Sequence, residues 1–372
     1  MSAVEFVETA TDGSARSGVL STPHGDVPTP AFMPVGTRGT VKTVDVADLR
    51  AVGASMVLAN TYHLMLRPGH EVVAGLGGLH GFMAWDGPIL TDSGGYQVFS
   101  LDPRLDESGV TFKSTYDGST VELTPEGAVE VQQKLGADIA MVLDHLVGLP
   151  ADRDQVRDAM ERTLRWSERA LAAHTRTDQA LFGIVQGGVD PELRAESARR
   201  TAELGVAGFG IGGLSVGEAE ADRNRAIEVT VDNLPADKVR YTMGLGDTDG
   251  IIEAISRGVD LFDCVLPTRL ARHGKAITRT GDISIKRAEW ASYEGPLDDD
   301  CDCFTCQTYS RGYLRHLAVT GEVLGQRLVT VHNLHYTLGL VAGARQAIEA
   351  GRFDDWSRDV RRLRRKDQAP LR

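Results

Sequence analysis

The sequence has few cysteines, no long apolar run and fewer basic than acidic residues. Only four cysteines occur among 372 residues, and three fall between positions 301 and 306, which in a reducing compartment favours metal binding over disulfides. No run of about 18 apolar residues appears, and residues 1–5 lack the basic and apolar regions of a signal peptide. We therefore expect a cytoplasmic protein without membrane association.

The shortage of basic residues argues against diffuse binding of nucleic acid over the whole surface. The formal net charge is −12, whereas phosphate contacts require Lys and Arg. Two short segments have a positive net charge, since residues 269–287 and residues 358–366 each hold six basic residues and one acidic residue. An acidic protein with such segments can hold a polyanion at one place. The alternative is a solvated helix face, and we favour polyanion binding for the first segment and the solvated face for the second.

Short apolar segments bounded by Gly or Pro alternate with stretches of helical period. Eight such segments are strand candidates, namely Ala31–Val35, Met56–Leu58, Ile89–Leu90, Ile139–Leu143, Leu181–Val185, Gly208–Ile211, Val239–Met243 and Val259–Leu266. Eight βα units within about 240 residues fit a (β/α)8 TIM-type barrel, of the α/β class, better than a doubly wound sheet.

The same pattern predicts four regions. Residues 1–30 form an N-terminal cap or small sheet that covers the barrel bottom, and residues 31–270 form the barrel, with a hairpin insertion near 104–121. Residues 271–350 form a basic hairpin and a zinc-binding helical subdomain packed on the barrel. Residues 351–372 form a basic C-terminal tail.

Polar residues stand at the carboxyl ends of four predicted strands. They are Asp92, Asp144, Gln186 and Asp263. Active sites of (β/α)8 barrels are built at this end, although a single Asp there is more often a cap or turn residue. Four such placements predict an active site.

Asp92 and Asp263 form a carboxylate pair suited to double displacement. One carboxylate would attack a sugar carbon to form a covalent glycosyl intermediate while the other moves protons. Strand alternation places Asp263 and Cys264 on opposite faces. We therefore expect Cys264 to pack beneath the helices.

The cysteine cluster predicts a closed zinc site. Cys301, Cys303 and Cys306 supply three thiolates, and His332 follows 26 residues after the last of them. Three thiolates and one imidazole complete a tetrahedral structural Zn²⁺ site, one per chain. His335 is a rival fourth ligand, and His316 is a weaker one.

Five separated motifs resemble bacterial-type queuine tRNA-ribosyltransferase, the tRNA-guanine transglycosylase family. They are Thr91–Gln97, Gln186–Gly188, Gly212–Glu218, Phe262–Arg269 and the zinc cluster. The resemblance covers about residues 5–350. It implies exchange of the wobble guanine in tRNAs with GUN anticodons (Asp, Asn, His, Tyr) for 7-aminomethyl-7-deazaguanine, without an organic cofactor.

The resemblance also implies roles for individual residues. Asp263 matches the nucleophile on ribose C1′, and Asp92 matches the general acid/base. The implied base-binding residues are Asp92, Ser93, Tyr96, Asp144, Gln186, Gly213, Leu214, Glu218 and Met243. Arg269, Arg272 and Lys275 would hold phosphates of the tRNA anticodon loop, with Arg38 and Lys42 as weaker candidates. The resemblance also implies a homodimer, with Tyr309, Tyr313 and His316 as a candidate patch for that contact. A purely intramolecular packing role of this patch is an equal alternative.

The chain departs from the bacterial pattern in the base pocket. Leu146 stands where the bacterial pattern usually has Cys, as in animal-type members that insert queuine, whereas Val216 keeps the bulk of the bacterial type. We expect a preference for the aminomethyl base, with queuine as the alternative. Leu270 and His273 also replace usual polar residues, which affects anticodon contacts.

Two other functions compete with this interpretation. A non-catalytic zinc-containing tRNA-binding partner subunit would lack the nucleophile, but Asp263 and Asp92 are both present. A metal-dependent barrel hydrolase would need His or Glu ligands at the strand ends, and those positions carry Asp, Gln and Gly.

Overall fold

The computed structural model describes residues 3–366. Residues 1–2 and residues 367–372, which end the predicted basic tail, lie outside the described residues. The strands are β1 (Glu5–Asp12), β2 (Ala15–Thr22), β3 (Gly25–Thr29), β4 (Ala31–Gly36), β5 (Val57–Ala59), β6 (Ile89–Thr91), β7 (Arg104–Leu105), β8 (Val110–Lys113), β9 (Thr120–Leu123), β10 (Ile139–Met141), β11 (Ala180–Val185), β12 (Phe209–Ile211), β13 (Arg240–Thr242), β14 (Leu261–Cys264), β15 (Lys275–Thr278) and β16 (Gly281–Ser284).

The helices alternate with these strands over most of the chain. They are α1 (Val46–Ala51), α2 (Thr61–Leu66), α3 (His70–Gly75), α4 (Gly78–Met83), α5 (Gly95–Phe99), α6 (Pro125–Leu135), α7 (Arg153–Ala173), α8 (Pro191–Glu203), α9 (Glu220–Asp232), α10 (Thr248–Ile255), α11 (Leu266–Arg272), α12 (Phe304–Thr308), α13 (Arg311–Thr320), α14 (Val323–Glu349) and α15 (Phe353–Lys366). The Thr124 side chain caps α6, and Pro125 opens the helix.

Eight parallel strands close into a barrel. The order around it is β4, β5, β6, β10, β11, β12, β13 and β14, and β14 pairs with β4 again. The predicted TIM-type barrel is therefore confirmed. Its strands are apolar on both faces, as expected where side chains fill the interior and helices cover the outside: Leu261 packs among the interior residues and Phe262 among the helix-facing ones.

Four of the predicted strands are shorter than their apolar segments. The segment 208–211 is a strand only over Phe209–Ile211, and the segment 239–243 only over Arg240–Thr242. The segment 139–143 is a strand only over Ile139–Met141, and the segment 259–266 only over Leu261–Cys264. Pro267 lies in the first turn of α11, where its missing N–H costs no hydrogen bond. Apolar composition thus predicts which segments are buried, but it does not predict the residue at which a strand ends.

A three-stranded antiparallel sheet of β1, β2 and β3 lies at the amino-terminal end of the barrel strands. Arg16 on β2 donates two hydrogen bonds to Asp260, at 2.9 and 2.6 Å, and Asp260 directly precedes β14. Asp260 is fully buried and also accepts from the backbone N–H of Arg240, at the start of β13. The sheet is thereby joined to the end opposite the predicted active site.

The insertion between β6 and α6 is a small sheet. Its β8 and β9 flank Asp117 and Gly118, and Gly118 adopts the left-handed conformation with φ 73°. Short β7 adds a third strand beside β8, which the sequence did not predict.

The C-terminal region packs on the barrel through α14. Val331, Leu334 and Val341 of this helix belong to the cluster that covers the outer barrel face. None of the helices within residues 3–366 is both long enough and apolar enough to span a bilayer.

The described part of the predicted basic tail is mostly helix α15, and the side chains of Arg358, Arg361, Arg362 and Arg364 on it are paired with carboxylates. Arg361 contacts Glu253 at 2.6 Å, and Arg364 contacts Asp282 at 2.9 Å. Arg362 pairs with Asp359 one turn away at 2.9 Å. These pairs favour a packing role for the segment over a role in holding a polyanion.

Candidate active site

Asp263 lies near the carboxyl end of β14. Its Oδ1 accepts a hydrogen bond from the Tyr241 hydroxyl at 2.6 Å and another from the backbone N–H of Gly244 at 2.8 Å. Burial raises the pKa of Asp263, and the two donors oppose that rise. Both donors act on Oδ1, so Oδ2 is the oxygen available to a reacting atom.

Asp92 directly follows β6 and is held by three donors. The Asn60 side chain donates at 2.5 Å, the backbone N–H of Thr61 at 2.9 Å and that of Gly94 at 3.1 Å. Burial, together with the charge of Asp263, nevertheless raises the pKa of Asp92 to about 7. Asp92 can therefore both take up and release a proton near neutral pH.

Asp92 and Asp263 act electrostatically on the same pocket. The pKa of Tyr241 rises well above its ordinary value because of burial and the charge of Asp263, with a further contribution from Asp92. Tyr241 consequently stays a phenol and remains a hydrogen-bond donor. Two carboxylates with different partners in one pocket can divide into a nucleophile and a proton carrier.

Asp144 and Gln186 form a second polar pair beside the carboxylates. Gln186 donates from Nε2 to Oδ2 of Asp144 at 2.6 Å, and both side chains are buried. Burial raises the pKa of Asp144 to about 6, while the bond from Gln186 lowers it. A Cβ on Gly95 would lie 3.1 Å from both Asp144 Oδ1 and Ser93 Oγ, so the Asp92 segment approaches Asp144 directly.

Gly212 and Gly213 allow Gln186 to reach this position. A Cβ on Gly213 would stand 2.3 Å from Gln186 Oε1, and Gly213 has φ +67°. A Cβ on Gly212 would stand 2.5 Å from a methyl carbon of Ile184. Side chains at these positions would displace Gln186 or the strand, so the bare backbone belongs to the pocket wall.

Arg194 of α8 fixes the loops that carry these groups. It is fully buried and donates to the carbonyl oxygens of Gly188 at 2.6 Å, Gly212 at 2.7 Å and Val185 at 3.1 Å. Burial lowers the pKa of Arg194 to about 9. Through its three hydrogen bonds to carbonyl oxygens, the Arg194 guanidinium positions the backbone of the pocket.

Glu218 is engaged by its own loop. Its carboxylate accepts from the backbone N–H groups of Ser215 at 2.5 Å and Val216 at 2.9 Å. The Val216 carbonyl accepts from the backbone N–H of Leu149 at 3.3 Å, which connects this loop to the segment after Leu146. Leu214 is buried at the start of the same loop.

Tyr96 and Met243 differ in exposure. Tyr96 on α5 is 63 % exposed, whereas Met243 is partly buried against the barrel interior. An exposed ring beside a polar pocket can stack on a planar ligand.

The predicted phosphate-binding residues lie in one positive region. Arg269 and Arg272 are on α11, and exposed Lys275 starts β15. Arg269 is therefore on a helix before the hairpin. Burial, followed by the charges of Arg272 and Arg38, lowers the pKa of Lys42, so these cations act on one another.

The cysteine cluster is assembled as predicted with His332. Nδ1 of His332 lies 3.6, 3.5 and 3.3 Å from the sulfurs of Cys301, Cys303 and Cys306. Separations of roughly 3.5 Å follow from metal–nitrogen and metal–sulfur bonds of about 2.1 and 2.3 Å at tetrahedral angles. The residues thus fit a closed structural metal site.

The other histidines considered for this site lie elsewhere. Nε2 of His332 is 2.9 Å from the carbonyl oxygen of Ile277, which leaves Nδ1 for the metal. His335 instead pairs with Asp302 at 2.8 Å, and His316 is an exposed residue of α13.

The sequence did not identify Asn60, Tyr241, Gly244 or Arg194. Asn60 directly follows β5, so it could have been predicted as a site residue, like the other polar residues at the carboxyl ends of strands. Tyr241 precedes Met243 by two residues, and strand alternation places both on one face. Arg194 and Gly244 gave no local signal, because their partners are distant in the chain.

Comparison with known proteins finds a matching family model and several relatives of high identity. The family model described as queuine tRNA-ribosyltransferase matches residues 11–366. A queuine tRNA-ribosyltransferase from Herpetosiphon aurantiacus is 54% identical over 351 residues, which cover 93% of this chain and 90% of that protein. The protein of the same name from Pelotomaculum thermopropionicum is 52% identical over 94% of this chain and 96% of its own. That from Thermus thermophilus is 49% identical over 100% of this chain and 97% of its own.

Proposed function

This chain belongs to the queuine tRNA-ribosyltransferase family and is a tRNA-guanine transglycosylase, and we propose that it exchanges the wobble guanine of GUN-anticodon tRNAs for 7-aminomethyl-7-deazaguanine. The proposed route is a double displacement through an Asp263–ribose ester. The observation that carries it is the pair of Asp263 and Asp92, which have different hydrogen-bond partners and interact electrostatically.

In the first half reaction, Oδ2 of Asp263 attacks ribose C1′. The bond from C1′ to the guanine nitrogen breaks, and the departing base takes the bonding electrons and a proton from Asp92. Tyr241 and Gly244 bind the other oxygen of Asp263 and hold the attacking carboxylate in place. A pKa of about 7 leaves a large share of Asp92 protonated at neutral pH, as this step requires.

In the second half reaction, the incoming base gives a proton to Asp92 and its nitrogen attacks C1′. The ester bond breaks and Asp263 leaves as a carboxylate. Ester formation has meanwhile removed the charge of Asp263, which is one cause of the raised pKa of Asp92. Asp92 is therefore more acidic in the covalent intermediate and is ionised when a base is needed.

The polar pair Asp144 and Gln186 would bind the edge of the base. A guanine-like edge presents N–H donors, and the Asp144 carboxylate, with a pKa of about 6, is mostly ionised at pH 7 and accepts them. Ser93, Gly213 and Leu214 would contribute at the same edge, and Tyr96 and Met243 would stack on the two faces of a flipped base. Glu218 would act by holding the loop that follows Leu214, since its carboxylate accepts from the backbone N–H groups of Ser215 and Val216.

The anticodon loop would be held by the positive region around the pocket. Arg269, Arg272 and Lys275 would contact phosphates, with Arg38 and Lys42 on the neighbouring loop. The mutual effect of Arg38, Lys42 and Arg272 supports a common polyanion. Binding of tRNA should then weaken with added salt.

Zinc is the metal we assign to the Cys301, Cys303, Cys306 and His332 site. Three thiolates and one imidazole suit Zn²⁺, and a complete set of protein ligands makes the ion structural. We propose that the reaction uses no organic cofactor and that the protein is cytoplasmic.

We also propose a homodimer. Tyr309 and Tyr313 stack with ring centroids 5.5 Å apart, and Phe304 and Tyr313 are 53% and 40% exposed. Exposed aromatic rings are typical of interface cores. Sedimentation equilibrium at micromolar concentration should give twice the chain mass, and a monomer would contradict the dimer.

Exchange of labelled guanine into unmodified tRNA tests the reaction. The wild type should exchange it, Asp263→Asn should not, and the Asp237→Asn control, at an exposed site, should match the wild type. A denaturation-resistant protein–tRNA adduct should form with the wild type and be lost with Asp263→Asn. Undiminished exchange by Asp263→Asn would remove Asp263 as the nucleophile.

Base preference is tested separately by competing 7-aminomethyl-7-deazaguanine with queuine on one tRNA. The bulk of Val216 favours the aminomethyl base, whereas Leu146 favours queuine, the base in the names of the relatives. Faster incorporation of queuine would reverse the proposed preference and leave the exchange reaction in place. Absence of exchange with any base would favour the non-catalytic partner subunit.

A further inference from the structure

Two histidines and an aspartate from three separate elements meet at the amino-terminal end of the barrel. His24 lies in the turn between β2 and β3, His80 lies on α4, and Asp138 directly precedes β10. His24 Nδ1 is 2.7 Å from Oδ1 of Asp138, and His80 Nε2 is 3.2 Å from Oδ2. The two imidazole rings stack with centroids 3.6 Å apart. None of these residues takes part in the proposed reaction.

The carboxylate of this cluster is held in a fixed orientation. Asp138 is 1 % exposed and accepts backbone hydrogen bonds from Ile89 at 2.8 Å and from His24 at 3.2 Å. One of these bonds goes to each oxygen, so the carboxylate is oriented before either imidazole is considered. Such outer contacts are characteristic of carboxylates that bind metals.

His80 is incompletely satisfied. Its Nε2 is buried and, among the described residues, makes no hydrogen bond of acceptable geometry, although Asp138 is close. A buried polar atom without a partner destabilises the fold, and a bound ion would remove this cost. The His24 side chain is 41 % exposed, so the cluster opens to solution on that side.

We propose that His24, His80 and Asp138 form a second metal site, for a divalent transition metal ion such as Ni²⁺, Co²⁺ or Zn²⁺. One ligand atom from each residue lies within 4.8 Å of the others. Imidazole nitrogen with one carboxylate oxygen suits these ions, whereas Mg²⁺ and Ca²⁺ prefer sets of oxygen ligands. Exposed His24 can turn to bring its nitrogen onto an ion shared with His80, and water would complete the coordination.

Asp138 supplies the negative charge that a bound cation would need. Asp178 lies near enough to His24 to interact with its charge, but it is paired with Arg176 at 2.7 Å. A bound ion would connect the β2–β3 turn, helix α4 and the start of β10. The site would therefore fasten the N-terminal sheet to the barrel.

Nickel binding to the zinc-containing protein tests this site. After dialysis against Ni²⁺, elemental analysis should find about one nickel per chain in addition to about one zinc. Zinc in the cysteine site serves as an internal measure of intact folding. Wild type should also gain thermal stability with Ni²⁺, because the ion binds only the folded state.

Variants place the ion at this cluster. His24→Ala and His80→Gln should each weaken Ni²⁺ binding by at least the roughly 10- to 100-fold expected for removal of an outer contact, while zinc content stays the same. His316→Ala, which removes an exposed histidine on α13, should keep the nickel.

Three outcomes would overturn the site. They are no nickel beyond the zinc content, nickel that only replaces zinc, and nickel binding unchanged in both His24→Ala and His80→Gln. In each case the cluster is a hydrogen-bonded His–Asp–His group without a metal role. The readout is independent of tRNA, so its failure would leave the exchange reaction untouched.

Discussion

Tyr241 donates its hydroxyl hydrogen to Oδ1 of Asp263 across 2.6 Å. The phenol stabilises the ionised carboxylate and leaves Oδ2 free for attack. Tyr241→Phe removes a hydrogen bond to a charged group, so kcat for guanine exchange should fall roughly 10- to 100-fold.

Tyr336→Phe is the matched control for this variant. Its hydroxyl bonds Thr248 and Arg364, away from the two carboxylates. Steady-state exchange should be close to wild type for Tyr336→Phe. An equal loss in both variants would show that general loosening of the fold, and not the bond to Asp263, lowers the rate.

The two carboxylates could be predicted from the sequence, but the groups that donate hydrogen bonds to them could not. Asp92 and Asp263 stand at strand ends, which a linear pattern can show. The donors to them come from neighbouring strands and loops, since Asn60 follows β5 and Gly244 follows β13. Those partners depend on the order of strands around the closed barrel.

The zinc ligands illustrate the same limit. The spacing indicated Cys301, Cys303, Cys306 and His332, yet the sequence left His335 as a rival fourth ligand. Helix α14 decides between them, because its Val331 and Leu334 pack on the barrel and turn His332 toward the sulfurs. Side-chain direction on a helix is fixed by the face that is buried.

The pH dependence of the two half reactions should differ. Free Asp92 has a pKa of about 7, raised by burial and by the charge of Asp263. In the covalent intermediate that charge is gone, so the rate of attack by the incoming base should begin to fall only at a lower pH. Single-turnover reaction of isolated covalent intermediate with base, from pH 5 to 9, measures this inflection. An inflection at the pH found for the free enzyme, or at a higher pH, would contradict the assignment of Asp92 as acid in the first half reaction and base in the second.

Asp144→Asn should stabilise the fold at neutral pH while impairing the base pocket. The pKa of Asp144 is about 6 in the folded protein against an ordinary 3.8, so its ionised form is disfavoured by folding. The associated stability is fully present below pH 3.8 and is lost as the pH rises through about 6. At about 1.4 kcal/mol per pH unit, the asparagine variant should gain up to about 3 kcal/mol above that range.

Urea unfolding at pH 4 and at pH 7.5 checks the sign of this effect. The gain should appear only at the higher pH, and the KM for guanine should rise. A gain of equal size at both pH values would mean that charge burial is not its source.

Cys306→Ser should lose the structural metal. A thiolate is removed from a closed set of four ligands, so zinc content should fall from about one per chain to near zero, with a lower melting temperature. Cys264→Ser is the matched control: burial raises the pKa of the Cys264 thiol to about 11, and it lies outside the metal cluster. Equal zinc contents in the two variants would refute the assigned ligands.

Val216→Gly should shift base preference toward queuine. Val216 and the segment after Leu146 are joined by the hydrogen bond from the Leu149 N–H to the Val216 carbonyl at 3.3 Å, so the two residues on which the base preference depends lie in connected segments. That backbone bond survives the substitution, as do the bonds from Ser215 and Val216 to Glu218. Removing the isopropyl group opens space for a larger substituent and takes apolar contact from the aminomethyl base.

Because a small change in an apolar pocket alters selectivity by about 10- to 200-fold, the ratio of kcat/KM for queuine to that for the aminomethyl base should rise by at least tenfold. Guanine has no such substituent, so its exchange rate in the same variant is the internal control. A parallel loss with all three bases would instead mean that the added glycine loosened the loop that Glu218 holds.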